Sequence, residues 1–375
     1  MRVPPFEMER WQSTYEHRVR YNLSESGVHP YTLAELIELT GIDPGAMRLE
    51  YTQSNGEDEL RARIATLYDA AAPENVLVTT GGAEANFLVL WALVDPGDRV
   101  VVLEPTYGQT PGLARGMGAE LVPFRLEESL GWQPEPGAAG QTITSDTRLV
   151  IVTNPNNPTG AILSEAAMDE IVEAAEAAGA WLLADEVYAG AEVDGVYTPS
   201  FWGRYERTVI TNSLSKAYGL PGLRLGWAMA PKEATAELWA RKDYTTIATT
   251  AVSQGFATEV LRDDVRPRVW ERTRAIIRGN LVAVRSWLDA RSEQFGYVPP
   301  EAGAICYVRY ASGIGSSELA ERLRVEQDVL VVPGDHFGMD GYVRIGFGNP
   351  AADLEAGLGR VERVTASLAP AVRAG

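Results

Sequence analysis

A lysine with hydroxyl groups before it and an arginine after it marks residues 213–224, SLSKAYGLPGLR. The amine of Lys216 is a nucleophile of the kind that forms an imine with a carbonyl compound. Ser213 and Ser215 precede the lysine and Arg224 follows it by eight residues. Hydroxyl and guanidinium groups are common ligands of phosphate. The segment therefore predicts a site for a cofactor that carries a phosphate and forms an imine.

Two polar motifs earlier in the chain follow predicted strands. Residues 154–160, NPNNPTG, come after a strand predicted at 148–152, and Asp185 ends a strand predicted at 180–184. Open α/β sheets bind ligands at the carboxyl ends of their strands, so both motifs are expected near one site. A carboxylate such as that of Asp185 can keep a pyridine nitrogen protonated, which makes the ring an electron sink. Each motif also has a structural interpretation, a turn for the first and a helix N-cap for the second.

The elements that position these motifs alternate between apolar strands and helices. Four short segments lack polar alternation, as is typical of strands covered on both faces. They are residues 99–103, 148–152, 180–184 and 208–211. A helix is predicted over residues 164–178, with Ser164 as its N-cap. The alternation predicts an α/β layer with a mostly parallel sheet.

The last third of the chain has a different pattern. Helices are predicted over 265–292, 316–324 and 352–368, and strands over 307–310, 329–332 and 342–347. These elements predict a smaller α+β domain, with which the first 45 residues are expected to pack. The predicted division is an N-terminal segment over 1–45, a large domain over 46–265 and a small domain over 266–375. The Gly/Pro-rich residues 132–140 are predicted to form a surface loop.

Composition limits the classes of function. The net charge of −18 disfavours binding to nucleic acid or anionic membranes. One cysteine, Cys306, gives no disulfide framework, and three widely spaced histidines indicate no metal site. Without a long apolar run or a signal-peptide pattern, a cytoplasmic location is expected. Only three lysines, at positions 216, 232 and 242, compete for the imine-forming role.

The order of these motifs resembles the class I/II aminotransferases, fold-type I enzymes that depend on pyridoxal 5′-phosphate (PLP). The likeness extends from roughly residue 20 to the C-terminus and rests on NPNNPTG, Asp-x-x-Tyr, Ser-Leu-Ser-Lys and the later arginine. It implies an aspartate-aminotransferase-like α/β fold, with a three-layer PLP-binding large domain and a smaller α+β domain. It also implies PLP as the cofactor, an amino acid as the substrate and a homodimer with shared active sites.

The resemblance further implies roles for single residues in the chemistry. Lys216 is implied to hold PLP as a Schiff base and to shuttle protons. Asp185 is implied to pair with the pyridine nitrogen, and Tyr107 to stack on the ring. Asn157 and Tyr188 are implied to donate hydrogen bonds to the phenolic oxygen of the cofactor.

Other residues are implied to bind the phosphate or the substrate. The phosphate ligands implied by the resemblance are Ser213, Ser215, Arg224 and the backbone amides of Gly82, Ala83 and Glu84 at a helix N-terminus. Tyr51 is implied to reach the phosphate in the neighbouring subunit. Arg344 is implied to bind the α-carboxylate of the substrate through two hydrogen bonds.

Within this family the sequence leaves the reaction open. The first interpretation is an amino-acid aminotransferase. Residues 26–36 and 217–227, however, resemble the capreomycidine synthase branch, which uses this scaffold for elimination and cyclisation on a hydroxylated arginine. The second interpretation is therefore β- or γ-elimination, replacement or cyclisation of an activated amino acid in specialised metabolism. A non-catalytic binding module is a third interpretation, disfavoured because the catalytic set is intact.

The segment that begins at Ser26 is expected at the mouth of the substrate site. Gly27 or Val28 is then placed to close over the substrate. His29 is a candidate acid or base, since histidine commonly serves in that role. The alternative is that His29 is only a turn residue before Pro30.

Overall fold

The computed structural model describes residues 2–366 and residue 368. In this part of the chain the strands are β1 (Tyr21–Asn22), β2 (Val76–Thr79), β3 (Arg99–Glu104), β4 (Glu120–Glu127), β5 (Gln133–Pro134), β6 (Thr147–Thr153), β7 (Trp181–Asp185), β8 (Thr208–Ser213), β9 (Gly226–Met229), β10 (Phe295–Tyr297), β11 (Ile305–Tyr310), β12 (Val329–Leu330), β13 (Val332–Pro333) and β14 (Tyr342–Gly346). The α-helices are α1 (Glu7–Tyr15), α2 (Leu33–Thr40), α3 (Asp58–Ala65), α4 (Gly82–Leu93), α5 (Gln109–Met117), α6 (Ala138–Thr142), α7 (Glu165–Ala178), α8 (Lys232–Lys242), α9 (Ala251–Val260), α10 (Arg266–Asp289), α11 (Ser316–Gln327) and α12 (Ala351–Thr365).

An eight-stranded sheet forms the larger layer, in the order β2-β9-β8-β7-β6-β3-β4-β5. Strands β3, β4, β6, β7 and β8 are parallel, whereas β9 lies antiparallel between β2 and β8. All residues of β2, β8 and β9 are buried, as expected for strands that are covered on both faces. The four strands predicted from apolar runs are confirmed as β3, β6, β7 and β8.

Helix α7 begins where its predicted cap lies. The Ser164 side chain accepts a hydrogen bond from the Ala167 amide at 3.2 Å, which satisfies one of the free amides of the first turn. The helix ends at Gly179, whose φ of 66° is left-handed and favours glycine. The prediction of this helix is confirmed.

A second, smaller sheet carries the C-terminal part of the chain. It is antiparallel, in the order β10-β11-β14-β13, and the three predicted helices are confirmed as α10, α11 and α12. The strand predicted over 329–332 is split at Val331, because β12 pairs with β1 while β13 pairs with β14. The Trp11 indole donates to the Val331 carbonyl at 2.8 Å and so anchors α1 at this break.

The surface loop predicted over residues 132–140 is wrong at its start. Trp132 is buried, with its ring 5.8 Å from that of Tyr307 and 6.1 Å from that of Tyr342. The stretch contains β5 and the beginning of α6. Burial of a large indole outweighs the Gly/Pro composition on which the prediction was based.

Residues 21–29 pack against the C-terminal part of the chain, as expected, whereas α2 packs against α9 within the range predicted for the large domain. Besides the pairing of β1 with β12, the Gly346 amide donates to the Leu23 carbonyl at 2.7 Å, and the His29 amide donates to the Gly348 carbonyl at 2.7 Å. A Cβ atom on Gly346 would lie 1.9 Å from the Glu25 carbonyl oxygen. Glycine is therefore required where residues 22–29 cross the end of β14. The domain boundaries at residues 45 and 265 remain predictions.

The described helices include none with the length and apolar character needed to cross a membrane.

The close approach at Gly346 gives a test of the fold. We expect Gly346→Ala to lower the free energy of unfolding by ~1–3 kcal/mol, because the added methyl group overlaps the Glu25 backbone. The matched control is Gly359→Ala in α12, where a Cβ atom would meet no neighbour and should stabilise the helix by ~0.5–1 kcal/mol. Urea unfolding measures both. Equal stability of the two variants would contradict this packing.

Candidate active site

A cavity of about 510 Å³ lies at the carboxyl ends of β6, β7 and β8. Ligands of open α/β sheets bind at this edge. The predicted site residues that line the cavity are Gly82, Ala83, Tyr107, Asn157, Asp185, Tyr188, Ser213, Ser215, Lys216 and Arg224. Segments far apart in sequence therefore converge on one space.

One part of the cavity has the donors that a phosphate requires. Helix α4 begins at Gly82, so free backbone amides point from its first turn. The Arg224 guanidinium lies 3.4 Å from the Ser215 hydroxyl, and a Cβ atom on Gly81 would lie only 2.4 Å from the guanidinium Nη2. Gly81, with φ 81°, thus leaves the room that Arg224 occupies. This cradle fits a dianionic phosphate group.

The Glu84 side chain bonds to residues outside the cavity lining. Its carboxylate accepts hydrogen bonds from the Thr80 amide at 2.6 Å and from the Thr246 hydroxyl at 2.8 Å. Glu84 does not line the cavity. The predicted use of its backbone amide remains a prediction.

Asp185 is held at the end of β7 by two donors. The Asn86 side-chain amide donates to its Oδ2 at 3.0 Å, and the Val187 amide donates to its Oδ1 at 3.2 Å. Burial raises the pKa of Asp185, although both hydrogen bonds oppose this. A cationic ring nitrogen beside the carboxylate would offset the cost of desolvation. Asn86 was missed in the sequence because no motif marks its position on α4.

The neighbouring carboxyl group, Glu186, points away from the cavity. Its oxygens accept hydrogen bonds from the Ser200 hydroxyl at 2.9 Å and from the Phe201 amide at 2.9 Å. Burial raises the pKa of Glu186 to about 8. Consecutive residues of an extended chain face opposite sides, so only one of the two acids can serve the cavity.

Lys216 pairs with a carboxylate that sequence reasoning missed. Its Nζ lies 2.7 Å from Glu25 Oε1, which also accepts the amides of Ser26 at 2.8 Å and Gly27 at 3.0 Å. The Lys216 ammonium lowers the pKa of Glu25 to about 2. Burial alone would lower the pKa of Lys216, but Glu25 outweighs it and the pKa is raised. The partners are 191 residues apart, so no spacing pattern could reveal them.

Arg344 lies just behind the cavity wall. It is buried in β14, where its guanidinium donates to Asn157 Oδ1 at 2.8 Å and to the Ser24 carbonyl at 2.5 Å. Its Nε has no hydrogen-bond partner among the described residues. The Tyr188 hydroxyl donates to Ser26 Oγ at 2.9 Å. Ser24 and Ser26 of the N-terminal segment thus hold the Arg344 and Tyr188 side chains in place beside the cavity.

Helix α1 and the residue before it form a wall that sequence reasoning also missed. The Tyr107 hydroxyl donates to Glu9 Oε1 at 2.8 Å, and its ring meets Phe6 edge-on at 5.0 Å. The lining residues that this part of the chain supplies are Phe6, Met8, Glu9, Gln12 and Glu16. No chemical motif distinguishes this helix in the sequence.

Besides Glu84 and Arg344, four predicted residues lie outside the cavity lining. A Cβ atom on Gly27 would be 3.5 Å from Lys216 Cδ, so this residue is adjacent to the site. Val28 is buried and packs near Gly219, whereas His29 Nδ1 is 3.0 Å from the Gly348 carbonyl oxygen. Tyr51 is 88% exposed beside residues 248–252, away from the cavity. The roles implied for all four remain predictions.

The family assignment follows from comparison with known sequences. The family described as aminotransferase class I and II matches residues 27–361. The chain belongs to this family. Among curated proteins, capreomycidine synthase of Streptomyces vinaceus is 32% identical over 367 residues, which cover 96% of this chain and 93% of that protein. The resemblance to aminotransferases inferred from the motifs is confirmed.

Two solved structures of aminotransferase-like enzymes support the same fold. A PLP-dependent aminotransferase from Streptococcus suis superposes with a TM-score of 0.92 at 32% identity, covering 99% of this chain and 100% of that one. The PLP-dependent cyclase OrfR superposes with a TM-score of 0.89 at 30% identity, covering 98% of each chain. The predicted fold class is confirmed, and so is the prediction of an enzyme family that uses PLP.

The buried Glu186 gives a pH test of the site's architecture. Because its folded pKa is raised above the unfolded value, the folded state binds the extra proton and stability falls as pH rises from about 4.5 to about 8. Over this range the free energy of unfolding should fall by on the order of 3 kcal/mol in the wild type, and we expect Glu186→Gln to remove that fall. Urea unfolding between pH 5 and pH 8 measures the difference between variant and wild type.

The exposed Glu176 of α7 offers a control for this test. Glu176→Gln should keep the pH dependence of the wild type. A Glu186→Gln variant with that same dependence would contradict the burial of a protonated carboxyl group.

Proposed function

We propose that this chain is a PLP-dependent amino-acid aminotransferase in which Lys216 holds the cofactor as a Schiff base. The observation that carries the proposal is that Lys216, Asp185 and the phosphate cradle at Gly82 and Arg224 line one cavity. An amine suits the aldehyde of PLP, a carboxylate suits its ring nitrogen, and the cradle suits its phosphate. When bound, PLP supplies an electron sink for the α-carbon of an amino acid.

The residues around Lys216 divide the remaining work. Lys216 is the base that takes the α-proton, and Asp185 keeps the ring nitrogen protonated. Tyr107 stacks on the ring, while Asn157 and Tyr188 donate hydrogen bonds to its phenolic oxygen. These assignments come from the family resemblance, and the placement of all five residues on the cavity supports them.

Arg344 is proposed to bind the α-carboxylate of the substrate. Its guanidinium is buried beside Asn157, and its Nε is unpaired among the described residues. A buried guanidinium gains most from an anion that it can bind through two donors. Exchange of the Ser24 carbonyl for a substrate carboxylate would provide that pairing.

A second candidate reaction is elimination, replacement or cyclisation on an activated amino acid. Besides Asp185, three carboxylates, Glu9, Glu16 and Glu25, line the cavity and disfavour an anionic side chain. An amino acid with a cationic side chain fits this wall better. The similarity to capreomycidine synthase over nearly the whole chain supports this candidate and a place in specialised metabolism. A cytoplasmic location is part of both proposals.

A homodimer with shared sites is also proposed. Large apolar side chains are exposed at Leu49, Tyr51, Tyr244 and Ile247, which is typical of a surface covered by another subunit. Tyr51 would then reach the phosphate of the partner's cofactor. Analytical ultracentrifugation tests this, and a monomer at every protein concentration would contradict it.

Replacement of the proposed Schiff-base lysine tests the function most simply. We expect Lys216→Ala to lose turnover by several orders of magnitude, because no other amine lines the cavity in the described part of the chain. The variant should fold and retain some PLP noncovalently. Lys232→Ala, on the exposed start of α8, is the control and should keep full turnover. Full turnover in Lys216→Ala would overturn the proposal.

A single-turnover scan separates the two candidate reactions. Enzyme loaded with PLP is mixed with individual amino acids, including aspartate, arginine and hydroxylated arginine, while cofactor absorbance, keto acid and ammonia are followed. Conversion to the pyridoxamine form, with stoichiometric keto acid and reversal by a second keto acid, would establish transamination. Recovery of the original cofactor with loss of a side-chain group would instead establish elimination or cyclisation.

A further inference from the structure

We propose that Glu25 is a catalytic residue that controls the proton on the Lys216 nitrogen. The inference rests on the proposed function, in which Lys216 carries PLP. It adds a second acid–base group to the site, supplied by the N-terminal segment. The starting observation is the 2.7 Å contact between Glu25 Oε1 and Lys216 Nζ.

The position of Glu25 is fixed by its backbone. Its carbonyl oxygen lies 1.9 Å from the position of a Cβ atom on Gly346, and the Gly27 carbonyl oxygen lies 2.0 Å from that of a Cβ atom on Gly348. Two amides, those of Ser26 and Gly27, donate to the Glu25 carboxylate from the same loop. The carboxylate is therefore preorganised toward Lys216 and does not depend on a flexible surface contact.

Glu25 also has access to the substrate space. Its side chain is 42% exposed, whereas that of Lys216 is 23% exposed, and both line the cavity. Full burial of the pair would add the cost of removing both charges from water. The Glu25 carboxylate contacts the reacting nitrogen while remaining open to the cavity.

Two other titratable side chains face Lys216, and neither supplies the negative charge that Glu25 supplies. Tyr188 faces the lysine from the loop after β7, and Arg344 faces it from β14. The tyrosine is neutral at physiological pH, because burial raises its pKa further above the usual value. Arg344 disfavours a second positive charge nearby. Among the described residues, Glu25 is therefore the carboxylate that contacts this nitrogen and stabilises its protonated form.

This arrangement gives Glu25 a defined part in proton transfer. When Lys216 acts as the base, an N–H bond forms on its amine as the α-C–H bond breaks, and the electron pair stays with the substrate. The resulting ammonium is stabilised by the adjacent Glu25 carboxylate. Delivery of the same proton later restores the neutral amine, so no further reactant is needed.

A spectral titration tests the role directly. The visible absorbance of PLP-loaded enzyme changes when the nitrogen shared by Lys216 and the cofactor loses its proton. We expect Glu25→Gln to lower the midpoint of this change by at least about one pH unit, because a negative charge at hydrogen-bond distance is lost. The glutamine keeps an oxygen acceptor for the two loop amides. Glu25→Asp should give a midpoint between those of the wild type and Glu25→Gln.

The matched control is Glu16→Gln. Glu16 lines the same cavity and has the same charge, but it makes no contact with Lys216. Its midpoint should equal that of the wild type. An unchanged midpoint in Glu25→Gln, or an equal shift in Glu16→Gln, would overturn the role of Glu25.

A second measurement does not need the cofactor or a stable variant. With only three lysines, the ¹³C-dimethylated cofactor-free protein gives separate NMR signals for Lys216, Lys232 and Lys242. We expect Lys216 to titrate above Lys242, whose pKa is lowered by burial, and a reversed order would overturn the inference. If PLP added to the enzyme gives no absorbance band that depends on Lys216, the proposed function is wrong. That result differs from an unchanged midpoint in Glu25→Gln, which would contradict only the role of Glu25.

Discussion

An ammonium group at the buried ends of parallel strands needs a negative partner, and the contact between Lys216 and Glu25 meets that need. Because Glu25 belongs to the N-terminal segment, this ion pair depends on how that segment packs against the rest of the chain. That segment crosses the end of β14 and the residues after it, where Gly346 and Gly348 have no side chains to block it. The ion pair thus links the small sheet to the reactive residue of the large one.

The parallel sheet explains why the other groups gather around this pair. Strands β6, β7 and β8 end at one edge and deliver the NPNNPTG turn, Asp185 and the lysine segment to the same cavity. The start of α4 adds free amides beside Arg224, opposite in charge to a phosphate. Of the adjacent acids Asp185 and Glu186, the pleat of the strand offers only the first to the cavity.

Local chemistry was predictable from the sequence, whereas contacts between distant segments were not. The lysine segment and Asp185 follow buried apolar strands, so the sheet and its binding edge could be inferred together. Asn86 and Glu25 escaped notice, because each acts through a partner on another element that no spacing relates to it. At Trp132 the local composition gave a wrong prediction. The Gly/Pro-rich stretch was predicted as a surface loop, but the Trp132 side chain is buried in the core.

The most direct test of the central claim is to trap the cofactor on its lysine. Enzyme loaded with PLP is reduced with borohydride and digested, and peptide mass spectrometry locates the pyridoxyl group among the three lysines of the chain. We expect stoichiometric labelling of Lys216 and none of Lys232 or Lys242. Labelling at either of the other lysines, or no stable adduct at all, would contradict it.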